Sequence, residues 1–419
     1  MEYPSTKTVK IKEIGRVVTG STPSTKMQDY YGSNFLFIKP SDIALGERRV
    51  VSTETRLSKL GYDSQRNRVL PINTTCVVCI GTIGKICLTS EPSFTNQQIN
   101  SVIVNKNLYD PIYVYYLLVT TIPKVKKLEG GSASGREHVK KSVFEGIEVE
   151  VTSLSIQRKI AAILSAYDDL IENNTRRIMI LEEMAQALYR EWFVNFRFPG
   201  HEKVRIEESE LGPKPEGWEI KKVTESILIN PRTRVPKEGE KPFIPMGSLS
   251  DNSMLIGDIE SRTGNSGSKF KNRDTLFARI TPSLENGKTG FVQFLPSDND
   301  VALGSTEFIV LRSKTLCPEY VYLLARSEDF RDTAIKSMTG ASGRQRVQQA
   351  CFEQFFFTHP DPKTIAAFHK MISPFFRAVH VLAQKNDALR QTRDLLLPKL
   401  ISGEIDVESL EIKEGGLEA

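Results

Sequence analysis

Apolar residues recur along this chain with two different periods, and the change of period divides it. Ile160, Leu164, Tyr167, Ile171, Asn174, Ile178, Leu181, Ala185, Leu188 and Trp192 advance by fours and threes. That is the 3.5-residue seam of a coiled coil. The pattern returns in Ile365, Phe368, Ile372, Phe375, Val379, Leu382, Asn386, Leu389, Arg393, Leu396 and Leu400. Ser155 is the expected N-cap of the first helix. Asp361-Pro362 supplies a cap and a first-turn proline for the second, and Gly403 can end it. Pro374 predicts a kink or a split near Ser373. Two helices of matching length and seam predict an antiparallel pair. With position numbers summing to 560, Ile160 faces Leu400, Asn174 faces Asn386, and Trp192 faces Phe368. At about 1.5 Å per residue this seam is roughly 50 Å long, a spacer. The competing reading packs each helix on the core of its own domain.

On either side of the first seam the period shortens. Phe35–Ile38, Cys76–Ile80 and Ile99–Val104 are short β-branched and aromatic runs separated by Gly, Pro, Asn and Ser clusters. Phe243–Pro245, Thr275–Ile280 and Glu307–Leu311 read the same way. Such runs predict strands joined by turns. The expected layout is a first strand-rich domain at 1–153, a central spacer helix at 154–198 and a linker at 199–217. A second strand-rich domain at 218–360, a C-terminal spacer helix at 361–403 and a flexible tail at 404–419 complete it.

The two strand-rich segments are copies. Ala133-Ser134-Gly135-Arg136-Glu137-His138-Val139 returns about 208 residues later as Ala341-Ser342-Gly343-Arg344-Gln345-Arg346-Val347. Pro111-Ile112-Tyr113-Val114-Tyr115-Tyr116-Leu117 returns as Pro318-Glu319-Tyr320-Val321-Tyr322-Leu323-Leu324. A weaker echo links Val9–Ile14 to Trp218–Val223. The spacing is far longer than the roughly 20–50 residues of a solenoid, so it marks domain duplication. The predicted fold class is α+β: two strand-rich domains in pseudo-twofold arrangement, separated by two long antiparallel coiled-coil helices. Two similar domains suit a two-part target.

Composition narrows the class only a little. The chain has 419 residues, 39% hydrophobic and 26% charged, as in ordinary globular proteins. No apolar run approaches the ~20 residues that span a bilayer, and the N-terminal residues lack signal-peptide character. A cytoplasmic protein with no membrane partner is expected. Five cysteines do not suggest a disulfide framework. Cys76 and Cys79 have the spacing of half a zinc site, but no second pair follows and their apolar run suits buried strand residues. The net charge is +5, and the excess of basic residues lies in the first repeat. This permits nucleic-acid binding.

Catalytic signatures are missing. There is no GxGxxG or GxxxxGK[ST] loop; in Gly81–Lys85 the glycines stand too close and no helical pattern follows. A nucleophile elbow and HExxH are absent. Asn230-Pro231-Arg232 begins like an adenine methyltransferase motif, but Arg232 breaks it. Pro360-Asp361-Pro362-Lys363 suits a helix cap better than a nuclease carboxylate. DNA reading needs Arg or Lys for guanine and Asn or Gln for adenine, with small polar groups near the backbone. In the first domain Lys39, Ser41, Arg48, Arg49, Thr82 and Lys85 meet this need, as do Asn96, Gln97, Gln98 and His138. In the second they are Arg232, Arg234, Arg262, Lys269 and Arg279, with Thr281, Ser283, Lys288 and Arg346. Each has an ordinary alternative as a solvated side chain, and Asn96-Gln97-Gln98 can also tie a turn. Arg136 and Arg344 are shared by both repeats and cannot distinguish two half-sites, which assigns them to phosphate contact or to the fold.

Together these residues resemble the specificity subunit of a type I restriction–modification system. Thr19-Gly20-Ser21-Thr22-Pro23-Ser24, Tyr30-Tyr31-Gly32 and Ile38-Lys39-Pro40-Ser41-Asp42-Ile43 are similar to that family's domain opening. Ile83-Gly84, Thr95-Asn96-Gln97 and the Gly131–Val139 loop fit its later landmarks. Leu181-Glu182 and Trp192-Phe193-Val194-Asn195-Phe196-Arg197-Phe198-Pro199-Gly200 are the most specific match. Leu211-Gly212-Pro213-Lys214-Pro215-Glu216-Gly217-Trp218 resembles the approach to a second recognition domain, and Arg393–Ile405 the C-terminal signature. Two features depart from the pattern. Ser155-Ile156-Gln157 stands where a proline-rich stretch ending in Glu-Gln is common, and Ile229-Asn230-Pro231-Arg232-Thr233 replaces a Thr-Gly-x-Thr-Pro-Ser opening.

The resemblance implies that each repeat reads one half of a bipartite, asymmetric site in double-stranded DNA. The helices would set the gap, on the order of one DNA turn or ~34 Å. Two methyltransferase subunits would dock on them, and restriction/translocase subunits would join. No cofactor belongs to this chain; S-adenosylmethionine, ATP and Mg are implied in the partner subunits. The alternatives are a related system whose methylation and cleavage share one partner polypeptide, or a structural adaptor that binds proteins rather than DNA.

Overall fold

The computed structural model describes residues 6–44, 46–128, 130–131 and 137–410. The chain divides into two compact units, residues 1–172 with 387–419, and residues 173–386. Among the described residues no helix is long and apolar enough to cross a membrane.

In the first unit, β-branched runs build a five-stranded sheet in the order Gly15–Thr19, Ile99–Val104, Thr75–Val78, Ile86–Thr89, Arg49–Val50. Ser101 stands opposite Val18 on one side and Cys76 on the other. Cys76 and Cys79 are buried in this region, as strand-run residues should be. A second sheet joins Tyr31–Gly32, Arg56–Leu57, Phe35–Ile38 and Ser93–Thr95. Lys7–Lys10 pairs with Glu148–Val151 and closes the repeat.

The second unit uses the same plan. One sheet orders Ile227–Ile229, Phe308–Ser313, Thr275–Ala278 and Thr289–Phe291, and the other Glu260–Arg262, Lys241–Ile244, Ala302–Gly304 and Ser268–Phe270. Each repeat contains a parallel pairing at the matching place, Leu36 with Ser93 and Phe243 with Leu303, and the first has another, Arg49 with Leu88. Glu219–Lys222 pairs with Phe356–His359 to close this repeat. The echoed Tyr-Val-Tyr segments are helical. They open helices at Pro111–Lys127 and Pro318–Arg326, each with proline in its first turn.

The long helices are Leu154–Tyr189 and Pro362–Ser402. Both readings of their seams are realised: the helices pair, and they also complete each unit's core. In the first unit Ile160 and Leu164 share one cluster with Leu397, Leu400, Tyr113 and Val114. In the second, Trp192, Phe193, Phe368 and Ile372 share one with Tyr320 and Phe277. Trp192 lies 5.5 Å from Phe368, and Asn174 Nδ2 donates to Asn386 Oδ1 at 3.0 Å. Both contacts keep the register that sums to 560. The Trp192–Gly200 motif ends the central helix in one wide turn and stacks Phe198 on Trp218 at 5.1 Å.

Three expectations change. The cap of the central helix is Ser153, whose Oγ lies 3.5 Å from the Ile156 amide, rather than Ser155. The C-terminal helix runs through Pro374 unbroken, because that residue is exposed while Ile372 and Phe376 anchor both sides in the core. Residues 404–410 are not a free tail: Val407 is fully buried in the first unit's core and Lys159 Nζ donates to the Glu408 carbonyl at 2.6 Å. Residues 411–419 lie outside the described residues.

Candidate nucleic-acid interface

The second unit contains an open concavity of about 870 Å³ whose lining holds four basic side chains, Arg232, Arg234, Lys269 and Arg279, and no acidic one. Each wall has a local cause. Asn230 sits at φ 48°, a conformation Asn tolerates, and its Oδ1 accepts the Val310 amide at 2.9 Å. Thr233 Oγ1 accepts from Arg312, which is itself forked onto Asp274 at 2.6 and 2.7 Å. The 230–234 loop is thereby pinned while Arg232 and Arg234 stay exposed. Ser268 Oγ donates to the Phe308 carbonyl and holds the strand carrying Lys269.

Arg279 Nε is buried, makes no hydrogen bond and stands 4.0 Å from Glu307 Oε2. The same carboxylate takes Arg346 at 2.7–3.0 Å. The Ser-Gly-Arg loop is fastened here by backbone pairing: Ile280 bridges Arg346, and the Val347 amide donates to the Arg279 carbonyl at 2.9 Å. Gly343 at φ 77° supplies the left-handed turn, leaving Arg344 exposed. In the first unit His138 bridges Ile80 and the Val139 amide donates to the Cys79 carbonyl at 2.8 Å, the equivalent fastening. Arg136 lies outside the described residues.

Other candidates are committed to the scaffold. Arg48 is buried and forks onto Asp169 and Glu172 of the central helix. Burial works against its charge, but Glu172 and Asp169 hold the guanidinium above its ordinary value. Arg49 donates to the Thr89 carbonyl at 3.2 Å. Lys85 Nζ ties the carbonyls of Pro40 and Ile43, both at 2.9 Å, and Lys288 Nζ approaches the Met246 carbonyl at the matching place of the second repeat. Asn96 and Gln98 bond each other and the Ile80 carbonyl, which is the turn-tying alternative. Thr281 is buried and accepts the Gln345 amide. Arg262 pairs with Glu260 and stacks 3.5 Å over Phe243.

Lys39 pairs with Glu54 at 3.1 Å, and Gln97 accepts from Thr22 at 2.7 Å. Ser41 and Thr82 are exposed and Ser283 half-buried. The structure thus gathers Arg232, Arg234, Lys269 and Arg279 around one concavity, joins Arg346 to Arg279 through Glu307, and leaves Arg262 and Lys288 to other contacts. Sequence reasoning passed over Asn230, Ser268 and Thr306 as lining residues. Asn before proline at the start of a loop was the available signal for the first.

The type I restriction modification DNA specificity domain family matches residues 5–183. The MjaIX type I restriction enzyme specificity subunit of Methanocaldococcus jannaschii is 27% identical over 422 residues, covering 96% of this chain and 94% of that protein. The HindI specificity subunit of Haemophilus influenzae is 30% identical over 168 residues, 39% of this chain and 36% of that one. The type I restriction–modification S subunit from M. genitalium shares the fold, with a TM-score of 0.58 at 13% identity over 96% of this chain and 97% of that one. Residues 5–183 match the type I restriction modification DNA specificity domain, and with its duplicated strand-rich repeats, paired long helices and a near full-length match the chain as a whole is similar to the specificity subunits of type I restriction–modification systems.

Proposed function

We propose that this chain is the DNA-reading subunit of its complex, each repeat reading one half of a bipartite, asymmetric site in double-stranded DNA. The helices set the gap between half-sites and offer docking faces to two methyltransferase subunits and to restriction/translocase subunits. Adenine methylation and cleavage belong to those partners, which use S-adenosylmethionine, ATP and Mg. The observation that supports this reading best is the open concavity of the second unit, lined by Arg232, Arg234, Lys269 and Arg279. Four basic side chains around one concavity favour an anionic ligand such as a backbone phosphate.

The test is duplex binding by the chain co-purified with its methyltransferase, measured across salt concentrations. Changing Arg232, Arg234, Lys269 and Arg279 to Ala should flatten the slope of log affinity against log salt by about 0.9 for each phosphate no longer neutralised. An unchanged slope, or wild-type binding without sequence preference, contradicts the proposal.

A further inference from the structure

In the second unit, where the helix Pro318–Arg326 meets the C-terminal helix, Cys317, Glu319 and His369 converge, with ligand atoms within 4.8 Å of one another. They are the one such group among the described residues. Cys317 is the N-cap of the shorter helix and Glu319 lies in its first turn. His369 Nδ1 stands 2.9 Å from Glu319 Oε2. The thiol and carboxylate are buried, whereas the His369 side chain is 48% exposed.

The duplication shows that the fold does not require this trio. By the spacing of the two repeats, Asp110, Ile112 and Ala161 occupy the equivalent places in the first unit. There Asp110 caps its helix through the amides of Ile112 and Tyr113, and Ile112 packs on the cluster that contains Ala161. The second repeat has a sulfur, a carboxylate and an imidazole where the first has a cap and an apolar contact. A side chain that caps well has been replaced by one that makes no cap hydrogen bond, and a buried carboxylate has been introduced beside it. Glu319 is compensated by its pairing with His369, and the exchange has brought three metal-ligand types together in the second repeat alone.

We propose that Cys317, Glu319 and His369 bind a thiophilic divalent cation of the Zn²⁺ class. One thiolate, one imidazole and one carboxylate suit zinc and its late first-row neighbours and disfavour Mg²⁺ and Ca²⁺. Three protein ligands leave a fourth tetrahedral position for water on the exposed His369 side. The ion clamps the first turn of the domain helix to the C-terminal helix. This site is independent of the DNA-reading proposal.

The full-length chain, freed of metal by chelation, should take up one Zn²⁺ per chain with a rise in melting temperature. Co²⁺ in its place should give a thiolate-to-metal charge-transfer absorption that Zn²⁺ removes. Cys317→Ser should abolish that absorption, while Cys351→Ser, outside the cluster, should keep it. His369→Ala, the residue the first repeat carries, should fold normally yet bind Zn²⁺ at least about 100-fold more weakly, since removing a ligand costs more than removing a group that only supports one. No stoichiometric Zn²⁺ uptake, a charge-transfer band that survives Cys317→Ser, or equal Zn²⁺ stabilisation of His369→Ala overturns the proposal.

Discussion

Arginines illustrate what a residue's type leaves undecided. Arg48 and Arg232 meet the same chemical requirement for reading guanine, yet Arg48 is closed inside a fork to Asp169 and Glu172 while Arg232 faces an open concavity. Their local sequences do not reveal this, because the carboxylates that claim Arg48 lie about 120 positions away on another element. Lys85 and Lys288 were equally opaque: their ammonium groups satisfy loop carbonyls, a contact set by tertiary folding. Asn96–Gln98 was legible as a turn because its bonds are local. Asp361 was legible too, and it carries a prediction. Its Oδ1 accepts the amides of Lys363 and Thr364 at 2.9 and 3.1 Å. Burial pushes its carboxyl up, but the bonds from Thr364 and Lys363 outweigh that and hold it below the usual range. Asp361→Ala should therefore destabilise the second unit by about 1 kcal/mol in urea unfolding at neutral pH. A depressed carboxyl stabilises the fold above its unfolded pKa and loses that effect as pH falls through its folded value. The deficit of the variant should accordingly shrink on acidification, and a deficit that grows there would contradict the cap's role.

For whole elements, periodicity carried most of the information. The seam positions from Ile160 to Trp192 are all buried or half-buried. The buried stripe nevertheless drifts off a strict heptad in the C-terminal helix: Phe376 and Leu397 are buried, while their seam neighbours Phe375 and Leu396 are only partly so. A straight helix slides about 20° per heptad against a 3.5 repeat, which moves burial to the adjacent position. The Tyr-Val-Tyr helices were missed because their aromatic and β-branched residues favour strands, and tertiary packing overrides that preference. At the seam, Asn386 accepts from Asn174 and donates to Thr175 Oγ1 at 3.1 Å. A buried amide pair lowers stability and fixes register. Replacing both Asn174 and Asn386 by Leu should raise the melting temperature and loosen the helix register, seen as broadened cross-link patterns between the two helices. A lower melting temperature would refute this account of the pair.

Across the molecule, duplication was the feature most legible in the sequence, and the structure shows how far it reaches. Matching parallel pairings, the Ile80–His138 and Ile280–Arg346 fastenings and the lysine ties all recur. What differs between the repeats is what fills this shared frame. The second has the concavity of Arg232, Arg234, Lys269 and Arg279, while the first carries Thr22 bonded to Gln97 near its own domain opening. Which bases each frame reads was never legible, since readout depends on loop geometry against DNA rather than on residue type. The central claim is that each repeat addresses one half of the target independently. It is tested most directly by replacing residues 218–360 with the equivalent domain of another specificity subunit and sequencing methylated adenines in cells that carry the complex. The account predicts a recognition sequence changed in one half, with the other half and the gap preserved; changes in both halves would contradict it.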